Sequence, residues 1–458
     1  MRKEIQIKNK KVGYILYLFT FLLFYFASAW WSVALAQSAF EMIQRDRNLS
    51  ASNYCIYPDS TLPSLTPAPA DKHPFYISHY GRHGSRYLSN RKGYDIPYNY
   101  LKRADSLGLL TPKGQEVLQE MRQIIDDSEG RWGDLSGLGK RQHRQIACRM
   151  MERFPEVFRG HAFIDARSTV VNRCVLSMGS AVQQLVALNP DLNVTMKASQ
   201  QDMWYMNYQD TLLRHRMTTP ETTKAYDAFC EPLISNHRLM ELLFISPDSA
   251  RKVVSENWLN YYLLKAGLIQ QNTRMGGRSQ LVDLFSYEDC HCFWLRENAW
   301  WYFNYGPSLL NGGQQPYTQR YLLRKILNEA DSLMRKDLHG ASLRFGHETV
   351  ILPLICLLGI NGFDFQTMDL SLLEEHGWWA CLVFPMASNI QFVFYRENLA
   401  DKDIIFKVLL NEQEATLPVP TDIAPYYHWR DFREYYLKKI DDYEALRSSS
   451  TQPPVTNP

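Results

Sequence analysis

An α/β fold, a three-layer mostly parallel sheet with flanking helices and an inserted, mostly helical cap domain, is the architecture that this 458-residue sequence predicts. Three observations carry it. Short runs rich in apolar and aromatic residues recur at 75–80, 162–166 and 341–345, each the length of a buried strand. The second and third are followed by apolar residues at helical spacing, over 171–188 and 350–358, which is the strand-then-helix alternation of parallel sheets. Between these two units, residues 191–335 carry helical periodicity and many aromatics but no strand signal of their own, as expected of a helical insertion.

Composition sets the outer limits. Hydrophobic residues make up 45% and supply a sizeable core, so a disordered or fibrous chain is excluded. Lys+Arg 50 against Asp+Glu 48 leaves a formal +2, with no basic excess of the kind that holds nucleic acid. Any anion chemistry must therefore be local.

Taken in order, residues 1–36 read as an export signal. Arg2, Lys3, Lys8, Lys10 and Lys11 form a basic leader, an apolar run spans 12–31, and Ala34-Leu35-Ala36 before Gln37 has the small-x-small form of a cleavage site. The reading predicts a periplasmic or secreted protein with no membrane contact after cleavage; the competing reading is an uncleaved helix that anchors the chain. Residues 37–74 read as an N-terminal arm in which Pro63, Pro67, Pro69 and Pro74 prevent regular structure. The α/β core then occupies 75–190 and resumes at 336–447 after the cap at 191–335, with 389–396 and 407–417 as further strands; 448–458, rich in Ser, Thr and Pro, reads as a disordered tail. Eight cysteines in an exported chain favour disulfides. Cys290-His291-Cys292 invites a metal reading, but adjacent donors cannot easily fill three corners of one tetrahedron, and no metal site is expected.

Chemistry concentrates in two loops. After the first strand comes Arg82-His83-Gly84-Ser85-Arg86. Two guanidinium forks match phosphate oxygens bidentately, the imidazole between them is a nucleophile, and Gly84 would let backbone approach whatever the arginines hold. The third strand unit ends in Gly346-His347-Glu348-Thr349, a second imidazole and an acid at a helix N-terminus. Ile351 breaks an H-E-x-x-H zinc-protease pattern, and neither a G-x-S-x-G elbow nor a P-loop is present.

With these residues in hand, the chain resembles the histidine acid phosphatases, the two-domain branch of the histidine phosphatase superfamily. Besides the Arg-His-Gly-x-Arg and Gly-His-acid-Thr loops, Leu135-Ser136-Gly137-Leu138-Gly139-Lys140-Arg141-Gln142 is similar to that family's Leu-Thr-x-x-Gly-x-x-Gln helix signature. Arg167-Ser168-Thr169 followed by Arg173 is similar to its Arg-Ser-Thr-x-x-x-Arg segment. Arg-His-Gly-Ser-Arg-Tyr and Met386-Ala387-Ser388-Asn389 most resemble the multiple inositol polyphosphate phosphatases, although that branch usually has His-Ala-Glu where this chain has His347-Glu348-Thr349. The resemblance implies a phosphomonoesterase in which His83 is phosphorylated, Arg82, Arg86, Arg173 and His347 bind the phosphate, and Glu348 is the proton donor. It implies no cofactor and a small phosphate ester as substrate, with phytate and other inositol polyphosphates as candidates; oligomeric state is left open. Arg91, Lys92, Arg274 and Arg278 are candidates for further phosphates of such a substrate. A phospholigand-binding protein of the same fold with little or no turnover is the alternative.

Overall fold

The computed structural model describes residues 38–450 apart from 59–61, 218, 234–236 and 277–278. The leader at 1–36 and its cleavage site lie outside the described residues. Its centre is an eight-stranded sheet: β1 (His73–Arg82), β2 (Phe163–Ser168), β3 (Asn193–Ala198), β4 (Gly340–Gly346), β5 (Asn389–Arg396), β6 (Ile405–Leu410), β7 (Gln413–Ala415) and β8 (Tyr427–His428). The order is β3-β2-β4-β1-β5-β6-β7, with β8 on β6. The pairs β3/β2, β2/β4 and β4/β1 are parallel and those from β5 outward antiparallel. Five of the eight strands thus point one way, as expected of a mostly parallel sheet.

Alternation along the central strands sends side chains to two separate cores, which makes the three layers. Tyr76 and Tyr80 of β1 and Phe392 and Phe394 of β5 pack against the helices Arg320–Met334, Glu348–Leu358 and Trp429–Ser450. Ile77 and Val393, facing the other way, pack against Gly137–Arg153 and Asn172–Leu188. A third core belongs to the cap, where Glu256–Leu268 and Tyr287–Tyr305 pack with Lys92–Ser106 and Pro112–Ser128. Those last two helices come from the first core segment in sequence but pack with the cap in space. Strand β3, conversely, extends the sheet inside the stretch read as a mostly helical cap; the polar/apolar alternation of Asn193–Ala198 is a strand signal that the helical reading passed over.

Three expectations are corrected. The arm is not irregular throughout: Ser38 caps the helix Ala39–Arg45, and Arg47–Tyr54 forms 3₁₀ turns, because this half has no proline. The last helix runs to Ser450, so 448–450 are helical and only 451–458 lie outside the described residues. All eight cysteines are free thiols. Cys356 sits in apolar packing, Cys148 contacts Glu152 and Cys174 the Gly346 carbonyl, and Cys55 and Cys381 meet side chain to side chain. Cys290 is buried while His291, one residue on along the same helix, turns to Glu374 at 2.9 Å, so the Cys-His-Cys triplet does not converge. Among the described residues no helix is long and apolar enough to cross a membrane.

Candidate active site

Strands β1 and β4 are parallel neighbours in register, with Arg82 opposite Gly346, so the two loops singled out in the sequence leave the sheet side by side at its carboxyl edge. The His83 amide donates to Gly346 O at 2.9 Å, locking the loops together. From β2, one strand further, Thr169 and the first turn of Asn172–Leu188 bring in Arg173. All six residues predicted from sequence, His83, Glu348, Arg82, Arg86, Arg173 and His347, are assembled here, and all but the half-buried Arg173 are buried.

Gly84 has a packing role that the sequence did not show. A Cβ on it would come within 2.6 Å of Gly139 Cα, and a Cβ on Gly139 within 2.3 Å of Ser85 O. The pair lets the N-terminus of Gly137–Arg153 press against the loop. There Ser136 Oγ caps the helix at Gly139 N, and Gln142 Oε1 accepts from Ser85 N at 2.8 Å. The glycine and glutamine of the helix signature thus have a physical role, which is to hold the loop rigid.

The arginines are divided between structure and ligand. Arg82 is fully buried, and its Nη1 donates to Asn53 O at 2.6 Å and Phe384 O at 2.9 Å, while Nε and Nη2 have no hydrogen-bond partner. Burial lowers this guanidinium to about 10, still charged at neutral pH. Arg173 Nε is likewise buried and without a partner. Buried donors with nothing to donate to are costly and mark a place for an anion.

In the structure that place is taken by Glu348, the first residue of its helix. Its carboxylate lies 3.4 Å from Arg82 Nε, 3.1 Å from Arg86 Nη2 and 3.0 Å from His83 Nε2. Burial alone would raise this carboxyl, but Arg82, His83 and Arg86 outweigh it and hold it well below the usual carboxylate range. Burial drives the His83 imidazole the other way from a charged state, well below its ordinary value, against the pull of Glu348. Since a carbonyl oxygen only accepts, the 2.9 Å contact of His83 Nδ1 with Gly84 O fixes a proton on Nδ1 and directs Nε2 at the site. Nε2 is then left as an acceptor, toward which Arg86 Nε donates at 3.4 Å. His347 is lowered to about 4 by burial and by the arginines, against Glu348, and is therefore neutral at its place beside Thr169 (3.1 Å) and Arg173 (3.5 Å).

His83, His347 and Glu348 could in principle converge on a metal, since their ligand atoms lie within 4.8 Å of one another. Arg82, Arg86 and Arg173 around them make the site a poor host for a cation and a good one for an oxyanion.

Sequence reasoning missed the arm. Asn53 and Tyr54 reach the cradle from residues that carry no motif: the Tyr54 ring lies 5.4 Å from the Arg86 guanidinium. Asn272 of the cap ties them in, donating to Tyr54 O and accepting from Ser85 Oγ, both at 2.7 Å. A positive φ of 53° at Ser52 in the turn before them was the detectable consequence, not a readable signal. Of the cations proposed for additional phosphates, Arg91 is paired with Asp95 at 2.8 Å and Arg274 with Asp127 at 2.8 Å, Lys92 is exposed, and Arg278 lies outside the described residues. None of the three described ones lines either cavity beside the cradle.

A buried arginine cradle with a histidine at its floor and an acid from the neighbouring strand defines an oxyanion-handling site on a two-domain α/β scaffold. The family model of the histidine phosphatase superfamily (branch 2) matches residues 81–411, and the chain belongs to that family. Its fold is similar to that of the Bifidobacterium longum multiple inositol polyphosphate phosphatase in complex with phosphate, with TM-score 0.72 at 18% identity over 86% of this chain and 98% of that one. It is also similar to the phytase from D. castellii, with TM-score 0.63 at 14% identity over 87% and 86%. In sequence, 106 residues are 31% identical to multiple inositol polyphosphate phosphatase 1 of Dictyostelium discoideum, a match covering 22% of this chain and 16% of that relative's length.

Proposed function

We propose that the protein is an exported phosphomonoesterase that hydrolyses phosphate esters, inositol phosphates among them, through a phosphohistidine intermediate. The observation that carries the reading is the carboxylate of Glu348 lying among Arg82, Arg86 and His83 Nε2, in the place an oxyanion would take. A substrate phosphate takes the place of this carboxylate. His83 Nε2, its lone pair oriented by the Nδ1–H bond to Gly84 O, attacks phosphorus in line, and the guanidiniums stabilise the charge on the equatorial oxygens.

Displacement changes Glu348 itself. Once off the arginines and beside a phosphate dianion, it loses what depressed its pKa and becomes able to carry a proton. It then protonates the departing oxygen and, as carboxylate, activates the water that cleaves the phosphohistidine. The names of the structural neighbours support inositol phosphates as a substrate class; the basic leader and Ala34-Leu35-Ala36 support export. The test is phosphate release from p-nitrophenyl phosphate and phytate by purified protein in EDTA. Turnover in chelator is expected, and abolition with rescue by a divalent ion would overturn the metal-free mechanism. Mass spectrometry of protein from a native-like exporting host should find Gln37 at the N-terminus; an intact leader held in membranes would favour the anchor.

A further inference from the structure

A cavity of ≈ 360 Å³ shares its wall with the cradle itself. Arg173, whose Nε is buried without a partner, lines it, as do His347 and Thr349, the residue after Glu348. The rest of the wall comes largely from the cap: Tyr305, at the end of Tyr287–Tyr305, and the short helix Thr211–Arg216 with the turn that leads into it. Tyr305 shows on which side of the cradle the cavity lies. Its phenol is pushed up by burial and then by Glu348, and pulled down by Arg214, so it stands within electrostatic range of both the acid and that arginine. An oxygen that takes its proton from Glu348 departs on the Glu348 side. The remainder of the ester then lies in this cavity.

Charge in the cavity is sparse and one-sided. Asp210 is the one carboxylate among its described lining residues, and it is neutralised within the protein. Arg320 Nη1 donates to its Oδ2 at 2.9 Å, Arg447 donates to the same oxygen, and Leu213 N donates to its Oδ1 at 3.2 Å. Outside the cradle, Arg214 is the one arginine or lysine among the described lining residues. It is exposed, and no described carboxylate lies within ion-pair range of it.

The backbone that presents Arg214 is held from several directions. Leu213, the residue before it, gives its N–H to Asp210 and accepts at its carbonyl from Gln315 Nε2 at 2.7 Å. The Arg214 amide donates to Asp210 O at 2.9 Å, and Arg216 Nη1 donates to Gln314 Oε1 at 2.7 Å. A guanidinium free of ion pairs on an anchored backbone, in a cavity that also holds cradle residues, is placed to take a second oxyanion bidentately.

We propose that this cavity receives the alcohol part of the ester and that Arg214 is a specificity-determining residue, binding a further phosphate carried by that alcohol. The inference rests on the phosphatase reading and deepens it: esters with a second phosphate on the leaving group, phytate among them, are favoured over esters without one. Arg214 supplies binding energy remote from the reacting phosphorus, which raises kcat/KM for the substrates that reach it.

The experiment measures kcat/KM for phytate against two esters with no further phosphate, inositol 1-phosphate and p-nitrophenyl phosphate. It uses the wild-type protein and the variants Arg214→Glu, Arg214→Gln and Arg216→Glu. Arg216 lies two residues on in the same helix and does not line the cavity, so Arg216→Glu makes the same change of charge outside the subsite. The ratio of phytate to either reference ester should fall about tenfold or more in Arg214→Glu, where repulsion replaces attraction, and about threefold or more in Arg214→Gln. In Arg216→Glu it should fall less than about twofold, since an exposed charge outside the site is screened. An unchanged ratio in Arg214→Glu, or an equal fall in Arg216→Glu, would overturn the subsite while leaving the phosphatase reading in place. Should Arg214→Glu not fold, Arg214→Gln decides by the same ratio. No turnover of any ester by the wild-type protein would instead reject the phosphatase reading, and this inference with it.

Discussion

Replacing Glu348 by Gln separates its two proposed states, the carboxylate that fills the empty cradle and the acid that serves the departing oxygen. In the free protein the carboxylate lies close to His83, Arg86 and Arg82, at 3.0, 3.1 and 3.4 Å. Of these, the bond from Arg86 Nη2 is a charge-assisted hydrogen bond, worth about 1.5–3 kcal/mol, and a neutral amide keeps only part of that. Substrate or phosphate must displace the side chain, so weakening its hold by even ~1.4 kcal/mol tightens phosphate binding tenfold. Glu348→Gln should therefore bind inorganic phosphate about tenfold more tightly, read as a lower inhibition constant. Chemistry moves the opposite way: loss of a general acid costs roughly 10²–10⁴ in rate for an ester whose alkoxide leaves poorly, such as phytate. p-Nitrophenyl phosphate, whose phenolate leaves unaided, should phosphorylate His83 with little change in the first turnover, which is the turnover to measure because water activation suffers for both. Equal first-turnover losses for the two esters, together with unchanged phosphate inhibition, would refute the displacement argument and leave Glu348 a positioning role.

The remaining predictions concern the nucleophile, the loop and stability. His83→Ala should lose nearly all turnover and Arg82→Ala should be comparably severe, because the cradle and nucleophile act as a unit; acid-labile label trapped on any residue other than His83 would reject the assignment. Gly139→Ala places a methyl 2.3 Å from Ser85 O and should cost about 1–3 kcal/mol and lower the thermal midpoint, with phosphatase activity falling as the loop shifts; an unchanged midpoint and rate would show that the loop can yield. His79 and His143 are buried and lowered to about 3, chiefly by desolvation. Folded, each stays neutral while its unfolded counterpart takes up a proton below about pH 6.5, so stability falls with pH from there toward 3, by up to ~1.4 kcal/mol per pH unit for each histidine. Thermal unfolding from pH 7 to 4.5 should show this slope, and His143→Gln should reduce it.

What the sequence made legible was what is local. Arg82, His83 and Arg86 fall within five residues at one strand end, and His347 and Glu348 are adjacent at another, so motif and position could be read together. Arg173 came from a looser segment; it occupies the first turn of its helix, beside His347. Tyr54 and Asn53 were not legible because their role depends on where a loop of 3₁₀ turns lands, which is set by contacts with residues as remote as Asn272 and Met386. The helices Lys92–Ser106 and Pro112–Ser128 could be found by periodicity, but which core an amphipathic face joins is decided by tertiary packing. The ionised, cradle-filling state of Glu348 was hidden for the same reason: its chain neighbours argue for a helix-terminal acid, while its spatial neighbours are arginines from another strand.

The order of the strands also governs when the protein can work. Strand β4 lies between β2 and β1, so the centre of the sheet stays open until residue 346 has been made, although β1 and β2 are complete long before. His83 meets Glu348 only after that late strand slots in, across a separation of 265 residues. A nascent or truncated chain that ends before β4 therefore holds His83 without Glu348, and the site is complete only once the sheet has closed around its last central strand.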